Sequence, residues 1–237
     1  MDTRFWGPSG WQLYHLIAYR YPENPDQATK HEYELFYSSM KDILPCRFCR
    51  ESTTKFMNDL PLQPALKNRH TLTKWIYDLH NLVNHKLRLQ CKEDPKVICP
   101  PPDPSFEKVT EIYEALLNVE PTVPPGLDFL FCVAYNYSKD SSQEAYSNFG
   151  RGLSKLYPYP KIRQVITQPK FGKRWYSTAK KMCAVTGFKL GTFRGTLQKY
   201  GKYKSSCNRG KTCRNGRKIR DHRKTYKITH ERLVKLR

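Results

Sequence analysis

Leu44-Pro45-Cys46-Arg47-Phe48-Cys49-Arg50 sets a C-x-x-C pair directly behind a proline, and the surroundings of that pair decide how the chain folds. Pro45 breaks whatever precedes it, so Cys46 opens a new segment, expected to run as a short helix to Asp59. At a helix start the unpaired N–H groups and the dipole favour a thiolate, and Arg47 and Arg50 add positive charge. Such a pair serves zinc binding, a buried structural disulfide or thiol–disulfide exchange. Zinc would want a second pair about 15–20 residues further on, whereas the next cysteines are Cys91 and Cys99. A thioredoxin-like pair sits in a βαβ context, and no alternating strand pattern surrounds this one.

Helical periodicity appears on both sides of the pair. Pro8-Ser9 is expected to start a helix carrying Trp11, Tyr14, His15, Ile17 and Ala18 and ending near Tyr21-Pro22. Asp26 reads as the N-cap of a second helix through Tyr33, Phe36, Met40 and Ile43. Residues 60–70, with Pro61 and Pro64, read as a loop. Thr71 then caps a fourth helix with Leu72, Trp75, Ile76, Leu79, Leu82, Val83 and Leu87 at three-and-four spacing. Four amphipathic helices with short links form a bundle, and the fold class is mostly α.

The remainder is different in composition. Of 42 Lys and Arg against 21 Asp and Glu, residues 151–237 hold 26 of the bases and two of the acids, Asp221 and Glu231. A shift that sharp implies two units with different partners. The run Cys99-Pro100-Pro101-Pro102-Asp103-Pro104 places a boundary within 95–104: residues 1–99 form the bundle, 100–200 a basic, mainly helical domain, and 201–237 a flexible basic tail. Helices are expected over Ser105–Asn118, Phe129–Tyr137, Gln143–Leu156, Gly172–Val185 and Gly191–Tyr200. No apolar run reaches the roughly 20 residues that span a bilayer, and the N-terminus shows no secretory h-region.

Eight cysteines in a chain this long point to redox or metal chemistry, not to a disulfide mini-protein. Around the C-x-x-C the helices carry polar and aromatic side chains at one-turn spacing: Trp11 with His15, and His80 with Asn84. An indole, imidazoles and carboxamides converging on a dithiol suit a planar, hydrogen-bonding, phosphate-bearing cofactor. The matching residues are Trp6-Gly7-Pro8, Trp11, His15, Tyr21-Pro22, Leu44-Pro45-Cys46-x-x-Cys49, and Trp75 followed by His80-Asn81-x-Val83-Asn84-x-Lys86-Leu87. In that order and spacing, residues 4–90 resemble the Erv/ALR FAD-linked sulfhydryl oxidases, most of all members encoded by large DNA viruses.

The resemblance implies a conical four-helix bundle holding FAD beside Cys46 and Cys49. By that analogy Cys49 lies against the flavin and Cys46 exchanges with incoming thiols. Electrons then pass from protein dithiols through the pair and FAD to O2, giving hydrogen peroxide. Gly7, Trp11, His15, His80, Asn81, Asn84, Lys86 and Leu87 match family positions around FAD, with Lys86 suited to the pyrophosphate. The same resemblance implies a homodimer and a location in host cytoplasm or virion, or, as for cellular members, the mitochondrial intermembrane space. Two departures stand out. Arg88 replaces a glycine common after the Leu87 position, and no Trp lies between Trp75 and Trp175. Cys91 and Cys99 form a staple at the end of the fourth helix, act as a shuttle pair, or stay reduced.

In the basic region, Lys173-Arg174-Trp175-Tyr176, Lys199-Tyr200 and Lys202-Tyr203-Lys204 interleave cations with rings. Nucleic acid, an acidic protein or an anionic membrane surface suits that pattern, as does a merely solvated tail. A non-catalytic oxidase-like scaffold that binds nucleic acid or virion components is the rival to the enzyme reading. Cys207 and Cys213, with His222 and His230, are spaced too widely for zinc and read as a candidate shuttle pair. Cys132 and Cys183 sit in apolar contexts and read as core.

Overall fold

The computed structural model describes residues 3–94, 99–138 and 141–201, and all regular structure among them is helical. Helix α1 spans Thr3–Tyr19, α2 Gln27–Ser38, α3 Met40–Ile43, α4 Arg47–Asp59 and α5 Arg69–Glu93. These five make the expected bundle, with the second helix broken at Ser39 into α2 and α3. Asp26 caps α2 as expected, its carboxylate accepting from Thr29 N at 2.7 Å.

Two helix starts differ from the sequence reading. First, α1 begins at Thr3, with Pro8 inside it. Proline in a helix interior removes one hydrogen bond, but the added turn buries Trp6, whose ring lies 5.9 Å from Phe129. Tertiary burial outweighs the local break. Second, α5 is capped by Asn68, not Thr71. Asn68 Oδ1 accepts from Thr71 N, and Thr71 Oγ1 accepts from Asn68 N, a reciprocal box in which Thr71 is the third helical residue. The 60–70 segment also contains a 3-10 turn, Gln63–Lys67.

Beyond the bundle come α6 (Phe106–Leu117), α7 (Leu127–Asn136), α8 (Gln143–Leu156), α9 (Pro160–Val165), α10 (Trp175–Thr186) and α11 (Phe193–Gly201). Helix α9, one turn and a half starting on a proline, is too short to show a periodicity. Helix α7 is apolar all round, and eight of its ten residues are buried, which makes it a core helix.

One apolar core runs from Trp6 to Tyr200 across both sets of helices. Phe129 of α7 packs edge-on to Tyr14 of α1, and Phe36 of α2 stacks on Phe149 of α8 at 5.4 Å. Gly152 lets α8 approach α2 so closely that an added Cβ would lie 2.9 Å from Phe36 Cβ. Gly126 starts α7 with φ +82, where an added Cβ would lie 2.8 Å from Leu13 Cδ2. Cys132 and Cys183 are buried in this core, as expected. Most of the basic tail, with Cys207, Cys213, His222 and His230, lies outside the described residues.

Gly152→Ala is expected to destabilise the chain by about 1–3 kcal/mol through overpacking against Phe36. Because α2 and α8 share one core, a guanidinium titration followed by tryptophan fluorescence and far-UV circular dichroism should show one shifted transition. Separate transitions, with only one displaced, would contradict it.

Candidate functional site: a dithiol beside an uncovered helix end

Pro45 ends α3 and Cys46 sits at the N-cap of α4, so the pair occupies the first turn of that helix as the sequence implies. Arg50 Nη1 donates to Leu44 O at 2.6 Å and ties the turn to the helix. The pair are thiols, and they divide unequally. Cys46 is 2% exposed, whereas Cys49 is half-buried. A hydrogen bond from the Cys49 thiol, then the N–H groups of Cys49 and Phe48, lower the Cys46 pKa to about 7 against the opposing effect of burial. Those N–H groups act without closing a regular capping hydrogen bond. Donating its proton to Cys46, and then burial, push the Cys49 thiol well above its ordinary value, while the charges of Lys86 and Arg50 pull it down.

Helix α1 meets α5 at three of the expected residues. Trp11 stacks on His80 with ring centroids 4.2 Å apart and planes within 13°. His15 Nε2 lies 3.3 Å from His80 Nδ1. Burial, and then its neighbour His80, hold the His15 imidazole well below its usual value; burial lowers His80 to about 3 although Asp103 pulls it up. Both imidazoles are therefore neutral at pH 7. The Nδ1 of His15 is buried and has no hydrogen-bond partner.

Helix α5 changes character past this contact. From Leu72 to His80 its inward face is buried, at Leu72, Trp75, Ile76 and Leu79. The same face continues through Val83, Lys86 and Leu87, and none of these is fully buried. Lys86 Nζ donates to Ser52 Oγ of α4, which brings its charge to the dithiol. Asn84 Nδ2 donates to Asp103 Oδ1 at 2.7 Å. Asn81 is half-buried. Gly7 lies one turn before Trp11 and has nothing within 4 Å of where a Cβ would be, so no close contact within the chain requires glycine there.

Sequence reasoning missed Asp103 and Tyr113. Tyr113 of α6 stacks on His15, centroids 4.6 Å apart and planes within 9°. Asp103 takes up Arg88 with both oxygens. Burial raises this carboxyl, but Arg88 and Asn84 outweigh it and hold it below the usual range. The signal was present: Arg88 is an unexpected cation facing a proline-stiffened segment with one acid. The Cys91–Cys99 disulfide closes that segment onto the end of α5, so of the three alternatives the reduced pair is excluded, and staple and shuttle share this bonded form.

Residues 8–98 match the Erv1 / Alr family. Among its relatives, a probable FAD-linked sulfhydryl oxidase of Acanthamoeba polyphaga mimivirus is 38% identical over 86 residues, covering 36% of this chain and 60% of that protein. The FAD-linked sulfhydryl oxidase of African swine fever virus is 30% identical over 82 residues, 35% of this chain and 67% of its own. The chain belongs to the Erv1 / Alr family. The mitochondrial FAD-linked sulfhydryl oxidase of Saccharomyces cerevisiae is 33% identical over 87 residues, 37% of this chain and 45% of its own. The chain thus spans about half of the first two relatives' lengths, and Asp103 and Tyr113 lie beyond the family match.

Two pH dependences follow. Alkylation of reduced Cys46 by iodoacetamide should rise with pH through an inflection at about 7, and Cys49→Ala, which removes the donor, should move that inflection upward. An inflection unchanged in Cys49→Ala would show that the donor is not the cause. For stability, the histidine pKa values are depressed in the folded state. The unfolded chain therefore takes up protons below about pH 6.5 that the folded chain refuses. Stability should fall as pH drops from about 6.5 to 5, by up to about 1.4 kcal/mol per pH unit for each histidine. Urea titrations of the parent and His80→Phe should show a shallower slope in the variant; equal slopes would count against neutral buried imidazoles.

Proposed function

We propose that this protein is an FAD-dependent sulfhydryl oxidase that makes disulfides in protein thiols and reduces O2 to hydrogen peroxide. The observation that carries the reading is the uncovered inward face of α5 past His80, opposite the dithiol. A planar group fits there by chemistry. Val83 and Leu87 offer apolar surface, Trp11 an indole, Asn84 a carboxamide, Lys86 a cation for a pyrophosphate, and His15 Nδ1 an orphaned polar atom, whereas Asn81 stands about half a turn around α5 from this face. When bound, FAD supplies the two-electron acceptor that restores the Cys46–Cys49 disulfide and delivers the pair to O2. Gly7, His80 and Leu87 complete the set of family positions.

The chain's own residues account for the exchange steps. A substrate thiolate attacks Cys46 Sγ, the Cys46–Cys49 bond breaks, and Cys49 leaves with the electron pair beside the charges of Lys86 and Arg50. A second substrate thiolate then attacks the substrate sulfur of the mixed disulfide, and Cys46 leaves. A thiol with a pKa of about 7 is a good leaving group. The buried position of Cys46 means that the 44–46 turn must yield to admit a substrate. Neutral, stacked His15 and His80 hold α1 and α5 at fixed separation, which keeps the seat formed in advance.

Residues 1–99 carry this chemistry in our reading, with 100–200 as a second unit walling it through Asp103 and Tyr113, and 201–237 as a basic tail. No described helix is long and apolar enough to cross a membrane. A homodimer would cover the half-exposed Leu82 and exposed Leu89 of α5. Viral and mitochondrial relatives both exist, and we favour host cytoplasm or virion. The rival reading, a scaffold without activity, has no observation in its favour at this site.

The purified protein is expected to be yellow and to consume oxygen with dithiothreitol. Cys46→Ser should abolish turnover and show a long-wavelength charge-transfer band from Cys49 against the flavin. Protein that stays colourless after incubation with FAD would overturn the proposal.

A further inference from the structure

We infer that the outer surface formed by α10, the 187–192 turn and the start of α11 is a binding site for single-stranded nucleic acid. Between Glu144 and Asp221 the sequence has no Asp or Glu. Earlier acids neutralise part of this stretch: Glu32 pairs with Arg151 and Lys155, Glu120 with Lys161, and Asp128 with Lys199. No acid faces Lys180, Lys181, Lys189 or Arg194 among the described ion pairs, and all four are exposed.

Helical geometry gathers these cations. Helix α10 buries Trp175, Ala179, Met182 and Cys183. At 100° per residue the opposite face is centred on Ser177 and Ala184, with Lys180 on one side and Lys181 on the other. Two short residues between two lysines leave a shallow strip for a backbone of phosphates. The helix ends at Gly187, whose φ of 71 turns the chain outward, and Phe188 N donates back to Cys183 O at 3.0 Å. That cap leaves the Phe188 ring 37% exposed. Phe193, 40% exposed, is held edge-on against Tyr176, and Tyr176 Oη donates to Gly191 O. An exposed Phe188 at the helix end and a Phe193 held by Tyr176, beside a cationic strip, are the elements of a base-stacking platform.

The alternatives fit less well. An interfacial membrane helix would present a continuous apolar outer face, and α10 presents Ser177, Lys180, Lys181 and Ala184 there. An acidic peptide would use the cations and have no need of two exposed phenylalanines. The inference does not depend on the oxidase reading.

The test uses the full chain and the fluorescence anisotropy of a labelled single strand of about 20 nucleotides, long enough for a stacking platform. Affinity should fall with salt. Lys180→Glu with Lys181→Glu should weaken binding about tenfold or more and reduce the log–log salt slope by about 1.4, the loss of two phosphate contacts. Phe188→Ala with Phe193→Ala should weaken single-strand binding by about thirtyfold or more with the slope unchanged, as the loss of two stacked bases predicts. Thermal melting of both variants should match the parent. If neither double variant changes binding, the strand is held elsewhere in the chain and the site is wrong. Binding to phosphatidylserine vesicles or polyglutamate but not to the strand would also overturn it.

Discussion

The contact on which the rest of the structure depends is the buried meeting of His15 and His80. Helix α1 is buried without interruption from Leu13 to Tyr19, so it is covered by α5 on one side and by α6 and α7 on others. At one point in that apolar helix two imidazoles face each other at hydrogen-bond distance, with Trp11 stacked on one and Tyr113 on the other. Polar groups in such a place must find one another, because leaving them unpaired costs about 1–3 kcal/mol each. The pairing therefore fixes the register of α1 on α5, and α5 in turn sets where Lys86 and Asn84 stand relative to the dithiol on α4.

The site exists because the packing of α5 is incomplete. A helix of 25 residues reaches about 37 Å at 1.5 Å per residue, further than the bundle core extends. Its inward face is filled up to His80 and then left half-covered. What limits the uncovered part is supplied from outside the family match. The disulfide Cys91–Cys99 and the Arg88–Asp103 pair bring the proline-rich segment back along the helix end. The arginine that departs from the family pattern thus has a partner of its own, and that partner also holds Asn84.

Much of this was legible in the sequence. The C-x-x-C pair at a helix start, the four amphipathic segments and the Asp26 cap all rest on local rules of spacing and backbone chemistry, which act within one turn. The Trp11–His15 and His80–Asn84 spacings placed each pair on one helical face, and Trp11, His15 and His80 do converge. The start of α1 was not legible, because the burial of Trp6 against Phe129, more than a hundred residues away, outweighs the local effect of Pro8. Nor was the burial of Cys46, which depends on how helices pack over the 44–46 turn.

The sequence by itself determined most of the helices, though not their exact starts or the short α9, together with the C-x-x-C pair and the division of charge, since each follows from periodicity, capping and composition. Tertiary structure alone decided that the helices beyond residue 100 share one core with the bundle, that Gly152 and Gly126 are close-approach points, and that Asp103 and Tyr113 border the site. The physical reason is range. A helix start or a thiolate preference is set by neighbours within a few residues, whereas a core, a stacked ring or a carboxylate's partner is set by which distant surfaces can exclude water together.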